Sequence, residues 1–166
     1  MSNTATTPEI LEELPPIGLL KELDEKVRRT MARAGRVQLM QPETRLATQG
    51  TPATTFAILL AGKAAVWCHA HGDYIHLADI KPGETIGEMN LIDPHLSSAD
   101  VTITEKSRVW IMDVIEFQAM VERDAETAYV VMAWLARELC RRLRRNADHM
   151  LRQMSEMRTH MRDIDY

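Results

Sequence analysis

Cysteine is scarce in this chain, with two residues in 166, Cys68 and Cys140. Their spacing fits neither a disulfide framework nor a metal motif. Two unpaired thiols beside eleven methionines suit a reducing compartment, so a cytoplasmic location is expected. No apolar run approaches the roughly 20 residues that a membrane helix needs, and no membrane partner is expected. The N-terminal stretch MSNTATTPEILEEL has no basic segment followed by an apolar one, which excludes a secretory signal. An excess of positive charge is also missing. The net charge of −4 removes any global argument for nucleic-acid or membrane binding. Catalytic signatures are absent as well: there is no P-loop and no dinucleotide fingerprint, and Ser97 and Ser98 lie in no nucleophile elbow. Cys68 and His69 are neighbours on a predicted strand, so their side chains point to opposite faces. The chain is therefore not expected to be an enzyme. What remains is a chain 45% hydrophobic and 27% charged, long enough for one domain with a core and an appendage.

Residues 1–16 are polar and end in Pro15-Pro16, which predicts a flexible tail. From Ile17 to Met31, Leu19, Leu20, Leu23, Val27 and Met31 recur at mostly three and four residues, predicting an amphipathic helix of about four turns that ends at Gly35. The period then falls to two. Candidate strands are Arg36–Met40, Thr44–Thr48, Thr55–Leu60, Lys63–His69, Tyr74–Ile80, Asp100–Thr104 and Arg108–Asp113, separated by glycine and proline turns. Seven or eight short strands predict a mainly β fold with helices, an antiparallel jelly-roll barrel. Asp113, with Glu116 three residues on, predicts a capping box for a short helix, Val114–Glu122, packed through Phe117, Met120 and Val121. A polar knuckle at Glu122-Arg123-Asp124 precedes a helix of nearly forty residues. The predicted organisation is a tail (1–16), a barrel domain (17–122) and a long helix (123–166).

Between Lys81 and Val101 lies a turn, a glycine, a short apolar run and a polar loop: KPGETIGEMNLIDPHLSSADV. A glycine ahead of a short helix lets backbone N–H groups approach an anion. Yet the segment holds no lysine or arginine between Gly83 and Val101. Several landmarks now resemble one family. Gln49-Gly50-Thr51-Pro52 resembles its glycine turn, and Phe56 to Val66, through Gly62, resembles its strand–glycine–strand signature. Lys81-Pro82-Gly83-Glu84 and Ile86-Gly87-Glu88 resemble the start of its phosphate-binding cassette. From Ile17 to about Met150 the chain resembles the cyclic-nucleotide-binding domain of bacterial catabolite activator/Fnr-type regulators and of protein kinase A regulatory subunits. The resemblance implies cAMP or cGMP as ligand, with Glu88 on the ribose 2′-hydroxyl and small residues at Ser98-Ala99. It also places an arginine on the cyclic phosphate, and here that position is Ser97. Losing a charged partner of this kind costs about 2–5 kcal/mol, or two to three decades of affinity. The nearest substitute is His95. In the bacterial class the long helix also reaches the base, which points to Asn146, able to hydrogen-bond a purine edge or simply to be solvated. The expected ligand contacts are Gly87, Glu88, Met89, Ser97, Ser98, Ala99 and Asn146. No cofactor or metal is expected.

On the long helix Leu139, Leu143, Ala147, Met150, Met154, Met157 and Met161 step by four, four, three, four, three, four, a heptad seam from Leu143 onward. Such a seam predicts a homodimeric coiled coil. Arg137, Arg141, Arg142, Arg144, Arg145 and Arg152 make a basic face, able to meet a phosphate-bearing partner or to pair locally with Glu138 and Asp148. The chain stops at Tyr166, where DNA-binding relatives continue into a helix-turn-helix, so direct DNA binding is not expected. Three functions compete. The first is a dimeric ligand-responsive regulatory module. The second is a ligand-free adaptor that docks another protein through the coiled coil or the basic face. A distant third is a cupin-type metal enzyme using His69, His71 and His76, whose later motif residues are missing.

Overall fold

The structure is a computed structural model; it describes the backbone of residues 9–164 and the side chains of residues 9–155. The chain forms two compact units, Met1–Val130 and Val131–Tyr166. The first unit is an antiparallel roll. Strands β1 (Arg36–Met40), β6 (Asp100–Asp113), β3 (Thr55–Ala70) and β4 (Asp73–Ile80) lie in the order β1-β6-β3-β4. Two short strands, β2 (Arg45–Ala47) on β6 and β5 (Thr85–Ile86) on β3, complete it. The sequence does not signal β5.

Four of the expected short strands are two long ones. Thr55–Leu60 and Lys63–His69 are a single β3, and Asp100–Thr104 and Arg108–Asp113 are a single β6. The apparent breaks at Ala61-Gly62 and Glu105-Lys106-Ser107 are bulges. The β3–β6 register runs from Thr55↔Asp113 to Trp67↔Asp100 and shifts three times, between Leu59 and Ala64. At the bend Gly62 has φ 92°, and a side chain there would strike Ser107 Oγ and the Lys106 carbonyl. Ser107, almost fully buried, receives the Lys63 N–H (3.1 Å) and donates to the Glu105 carbonyl (2.7 Å). These bonds satisfy backbone groups that the bulge removes from the ladder. Because both strands bend together, one core takes residues from both halves: Ala57, Leu59, Ala64, Ile103, Val109 and Ile111, closed by Met40, Ile80 and Ile86. The opposite face near the bend is buried too. Phe56 and Trp110 meet edge to face at 5.9 Å, and the Trp110 indole N–H points at the Ala32 carbonyl (3.5 Å).

The N-terminal helix is shorter than expected. A 3-10 turn, Gly18–Glu22, comes first, and α1 (Glu25–Ala34) begins only where the Asp24 side chain accepts the Val27 N–H at 2.8 Å. Asp24 is an N-cap that competes with the apolar period, and the cap prevails. The tail is also tied down from Glu9 onward. Glu9 bridges Val37 and pairs with Arg108 at 2.9 Å, Glu13 pairs with Arg28 at 2.7 Å, and Leu14 is wholly buried. The rest of the expected tail, residues 1–8, lies outside the described residues.

Helix α3 (Val114–Arg123) carries the capping box read from the sequence. Asp113 accepts the Glu116 N–H at 2.8 Å, and Glu116 accepts the Asp113 N–H at 2.7 Å. Phe117 and Met120 are buried as expected. Val121 is 40% exposed, so it is not part of that packing. Asp124 then caps α4 (Ala125–Ile164), taking the Thr127 N–H and hydroxyl at 3.0 and 2.7 Å, which lower its pKa.

Asp100, at the start of β6, fastens the loop between β2 and β3. Its carboxylate is 2% exposed. It takes the Gln49 N–H at 2.7 Å and the Tyr74 hydroxyl at 3.0 Å, with Arg45 and His69 each at 3.9 Å. The Gln49 N–H, then Tyr74, Arg45 and His69, outweigh burial and hold its carboxyl below the usual carboxylate value. Stability from Asp100 is thus complete above the unfolded value, near 3.9, and fades as pH falls toward the lower folded value. Denaturant titrations between about pH 5 and 3 should show a steeper loss for the native chain than for Asp100→Asn; equal slopes would contradict the assignment. Asp113→Ala should lower the unfolding free energy by about 1 kcal/mol, seen as a fall in melting temperature of roughly 2–4 °C.

Candidate ligand site

The cassette grows out of β5, which pairs with Ala57 and Ile58 of β3. Gly87 follows in the left-handed conformation (φ 77°, ψ 14°) and caps α2 (Glu88–Ile92). A side chain at Gly87 would collide with the Thr55 carbonyl, so glycine is required by both dihedral and space. Glu88 opens the helix 3% exposed, Asn90 is also buried, and Met89 turns outward at 55% exposure. After α2 the chain folds back on the β2–β3 loop. Pro52 bridges Leu96, the Ser97 N–H meets the Thr51 carbonyl at 2.8 Å, and the Gly50 N–H meets the Ser97 carbonyl at 2.9 Å. Ser97 is buried, Ser98 exposed and Ala99 half-buried. Gly87 and Ser97 are therefore gathered around the segment Thr51–Thr55, Glu88 is buried beside Gly87, and Met89 is exposed. His95, the nearest expected substitute cation, is exposed.

Beside Ser97 is a cavity of about 190 Å³. Arg45, Thr48, Thr51, Thr54 and Thr55 line it together with Ser97. Arg45 is the sole charged residue in that lining, and the surroundings are hydroxyl-rich. Sequence reasoning missed this wall. The signal was present as four threonines between Thr48 and Thr55 with an arginine just upstream, but the Gln49–Pro52 turn hides their convergence. Asp100 lies one residue beyond Ala99 and within 3.9 Å of Arg45, so the cassette's end and the cavity's cation share one carboxylate.

The histidines of the β3–β4 hairpin have other partners. His69 lies against the Tyr74 ring at 4.3 Å; His76 lies edge-on to Trp67 at 4.8 Å and touches Asp79 at 3.0 Å. Asp79 also holds Lys63 at 3.0 Å, and the Lys63 and His76 contacts lower its pKa. His71 sits at the hairpin tip with φ 53°. Among the described residues no three His, Cys, Asp or Glu side chains gather into a metal-binding group.

In the second unit Glu138 is 2% exposed and draws Arg145 to 2.8 Å, Arg142 to 3.5 Å and Arg141 to 3.6 Å. Three arginines of the expected basic face thus converge on one carboxylate. Further along α4, Leu143, Met150, Leu151 and Met154 are 61–70% exposed. Ala147 and Asn146 are exposed, and Leu139 is half-buried. The side chains of Met157 and Met161 lie outside the described residues, and no described helix is long and apolar enough to cross a membrane.

Comparison with known proteins gives these geometries a context. Residues 37–124 match the cyclic nucleotide-binding domain family. No curated protein sequence matches. Among solved structures the chain is similar to the catabolite activator protein of Thermus thermophilus, at 26% identity and a TM-score of 0.67. The similarity covers 82% of this chain and 62% of that regulator, so this chain spans less than two thirds of its length. A cyclic nucleotide-binding domain from Methylobacillus flagellatus shares the fold at 21% identity and a TM-score of 0.75, over 87% of this chain and 82% of that one. The N-terminal domain of a Streptomyces coelicolor transcriptional regulator does so at 24% identity and a TM-score of 0.62, over 80% and 90%. The family match spans more than half of the sequence and contains the whole stretch from the loop before β3 to the end of α3, and on that ground the chain belongs to the cyclic nucleotide-binding domain family.

Proposed function

We propose that this chain is a non-enzymatic regulatory module, a homodimeric cyclic-nucleotide-binding-like domain that senses a nucleotide or another small ligand and signals through its long helix. The observation that carries this reading is the preserved cassette. Gly87 keeps its left-handed turn, Glu88 is held inward at the head of α2, and the Ser97 segment closes against Thr51. Helix α2 touches α3, and α3 leads through Asp124 into α4, so a ligand that tightens the cassette has a packed route to the helix. It shifts that route only to the extent that it binds one helix arrangement better than the other. The exposed run Leu143, Ala147, Met150 and Met154 is the surface that a second copy would cover. A cytoplasmic setting suits the two free thiols.

The second reading keeps the fold and discards the ligand. Ser97 replaces the cassette arginine, which favours an adaptor docking another protein through the long helix. Calorimetry of the full chain with cAMP and cGMP separates the two. Saturable binding tighter than about 10 μM supports sensing, and no heat from any nucleotide supports the adaptor. Ser97→Arg should raise cyclic-nucleotide affinity by roughly two to three decades. Sedimentation should give twice the chain mass, reduced to one chain by Leu143→Glu combined with Met150→Glu. A single-chain mass for the native protein at high micromolar concentration would end the dimer proposal.

A further inference from the structure

We infer that the cavity beside Ser97 is a binding site for the phosphate group of a small phosphorylated ligand, and that Arg45, from outside the cassette, supplies its cation. The inference rests on the sensing reading above and goes further by naming the charge that the cassette lacks.

Three observations carry it. The first is size and chemistry. The cavity holds about 190 Å³ and its lining is dominated by Thr48, Thr51, Thr54, Thr55 and Ser97, with Arg45 the one charged residue among them. Pockets that enclose drug-sized molecules run to roughly 300–1,000 Å³. This one takes a phosphate-sized group and leaves the remainder of the ligand outside. Hydroxyl donors and one guanidinium are the groups that a phosphate oxygen requires.

The second is the state of Arg45. It stands on β2 opposite Thr102, and its side chain is 57% exposed. Its contact with Asp100, at 3.9 Å, is at the outer limit of an ion pair. Little holds the guanidinium in its present place.

The third is that Asp100 does not depend on it. The Asp100 carboxylate receives the Gln49 N–H at 2.7 Å and the Tyr74 hydroxyl at 3.0 Å, with His69 at 3.9 Å. When Arg45 turns to a phosphate, Asp100 keeps two hydrogen bonds and stays satisfied. The alternative, a phosphate facing Ser97 without a cation, leaves its negative charge uncompensated. In this chain the arginine has moved from the cassette to the wall opposite it.

The test is a titration of the isotope-labelled full chain with inorganic phosphate, AMP and cAMP, followed by nuclear magnetic resonance, with chloride at matched ionic strength as the blank. The expected result is saturable movement of the Thr51, Thr54, Ser97 and Arg45 signals. Arg45→Gln should weaken binding about tenfold or more, and Arg45→Lys should recover much of it. A well-dispersed spectrum for each variant establishes that it folds. Binding of AMP and inorganic phosphate along with cAMP marks a site for phosphate in general; binding of cAMP alone marks one for the cyclic diester. Either outcome supports the inference if it depends on Arg45. Binding that moves the cassette signals but is the same in Arg45→Gln overturns the inference and leaves the sensing reading intact. If no probe binds the native chain, the inference falls. Cyclic-nucleotide binding to Ser97→Arg then decides whether the sensing reading falls with it.

Discussion

The structure depends on two strands that must each serve both layers of a roll. A sheet cannot enclose a core by itself unless it bends, and a bend interrupts the hydrogen-bond ladder. Here the interruption falls on β3 and β6 together, at Gly62 and Ser107. Ser107 uses its hydroxyl to satisfy the backbone on both sides. With the bend settled, Leu59 and Ala64 face one interior, Ile103 and Val109 meet them, and β5 finds an edge on β3 from which the cassette starts. The position of Gly87 against Thr55 follows from that edge.

The electrostatics of the cassette follow from the same layout. Because the segment between Gly83 and Val101 contains no lysine or arginine, any positive charge at its mouth must arrive on another element. The β2–β3 loop lies alongside Ser97, and Asp100 anchors that loop through the Gln49 N–H. Asp100 is thus a fixed negative point, with Arg45 at 3.9 Å, the outer limit of an ion pair. The region around Ser97 is not apolar. It holds a small polar cavity whose nearest cation comes from β2.

Much of this was legible in the sequence. The capping box at Asp113 and Glu116, the length of α4 and the glycine turn at Gly87 are local patterns, and local patterns carry their own geometry. The strands were found but counted wrongly, since a bulge and a turn both show as glycine and polar residues, and only pairing partners distinguish them. Asp24 and the docking of Glu9 and Leu14 were missed for a related reason. A cap competes with an apolar period inside one helix, and a tail's partners, Val37 and Arg28, lie far along the chain. The cavity wall illustrates the same limit. Thr48 to Thr55 looks like an ordinary loop until Ser97, more than forty residues away, is placed on it.

The β3–β6 register also governs how the chain reaches this state. The pairs run from Trp67↔Asp100 to Thr55↔Asp113, so the longest ladder in the molecule joins segments that are remote in sequence. Each of those pairs must be closed against the entropy of a long loop. The β3–β4 hairpin, turning at Ala70 and Asp73, closes almost no loop and can form first. Topologies dominated by non-local pairing fold slowly for their size. Until β6 arrives, β3 stands with an unpaired edge through the same stretch that later carries the bend. The residues that shape the finished cavity come together only through such non-local pairing, so the β3–β4 hairpin alone cannot set the geometry of the cassette.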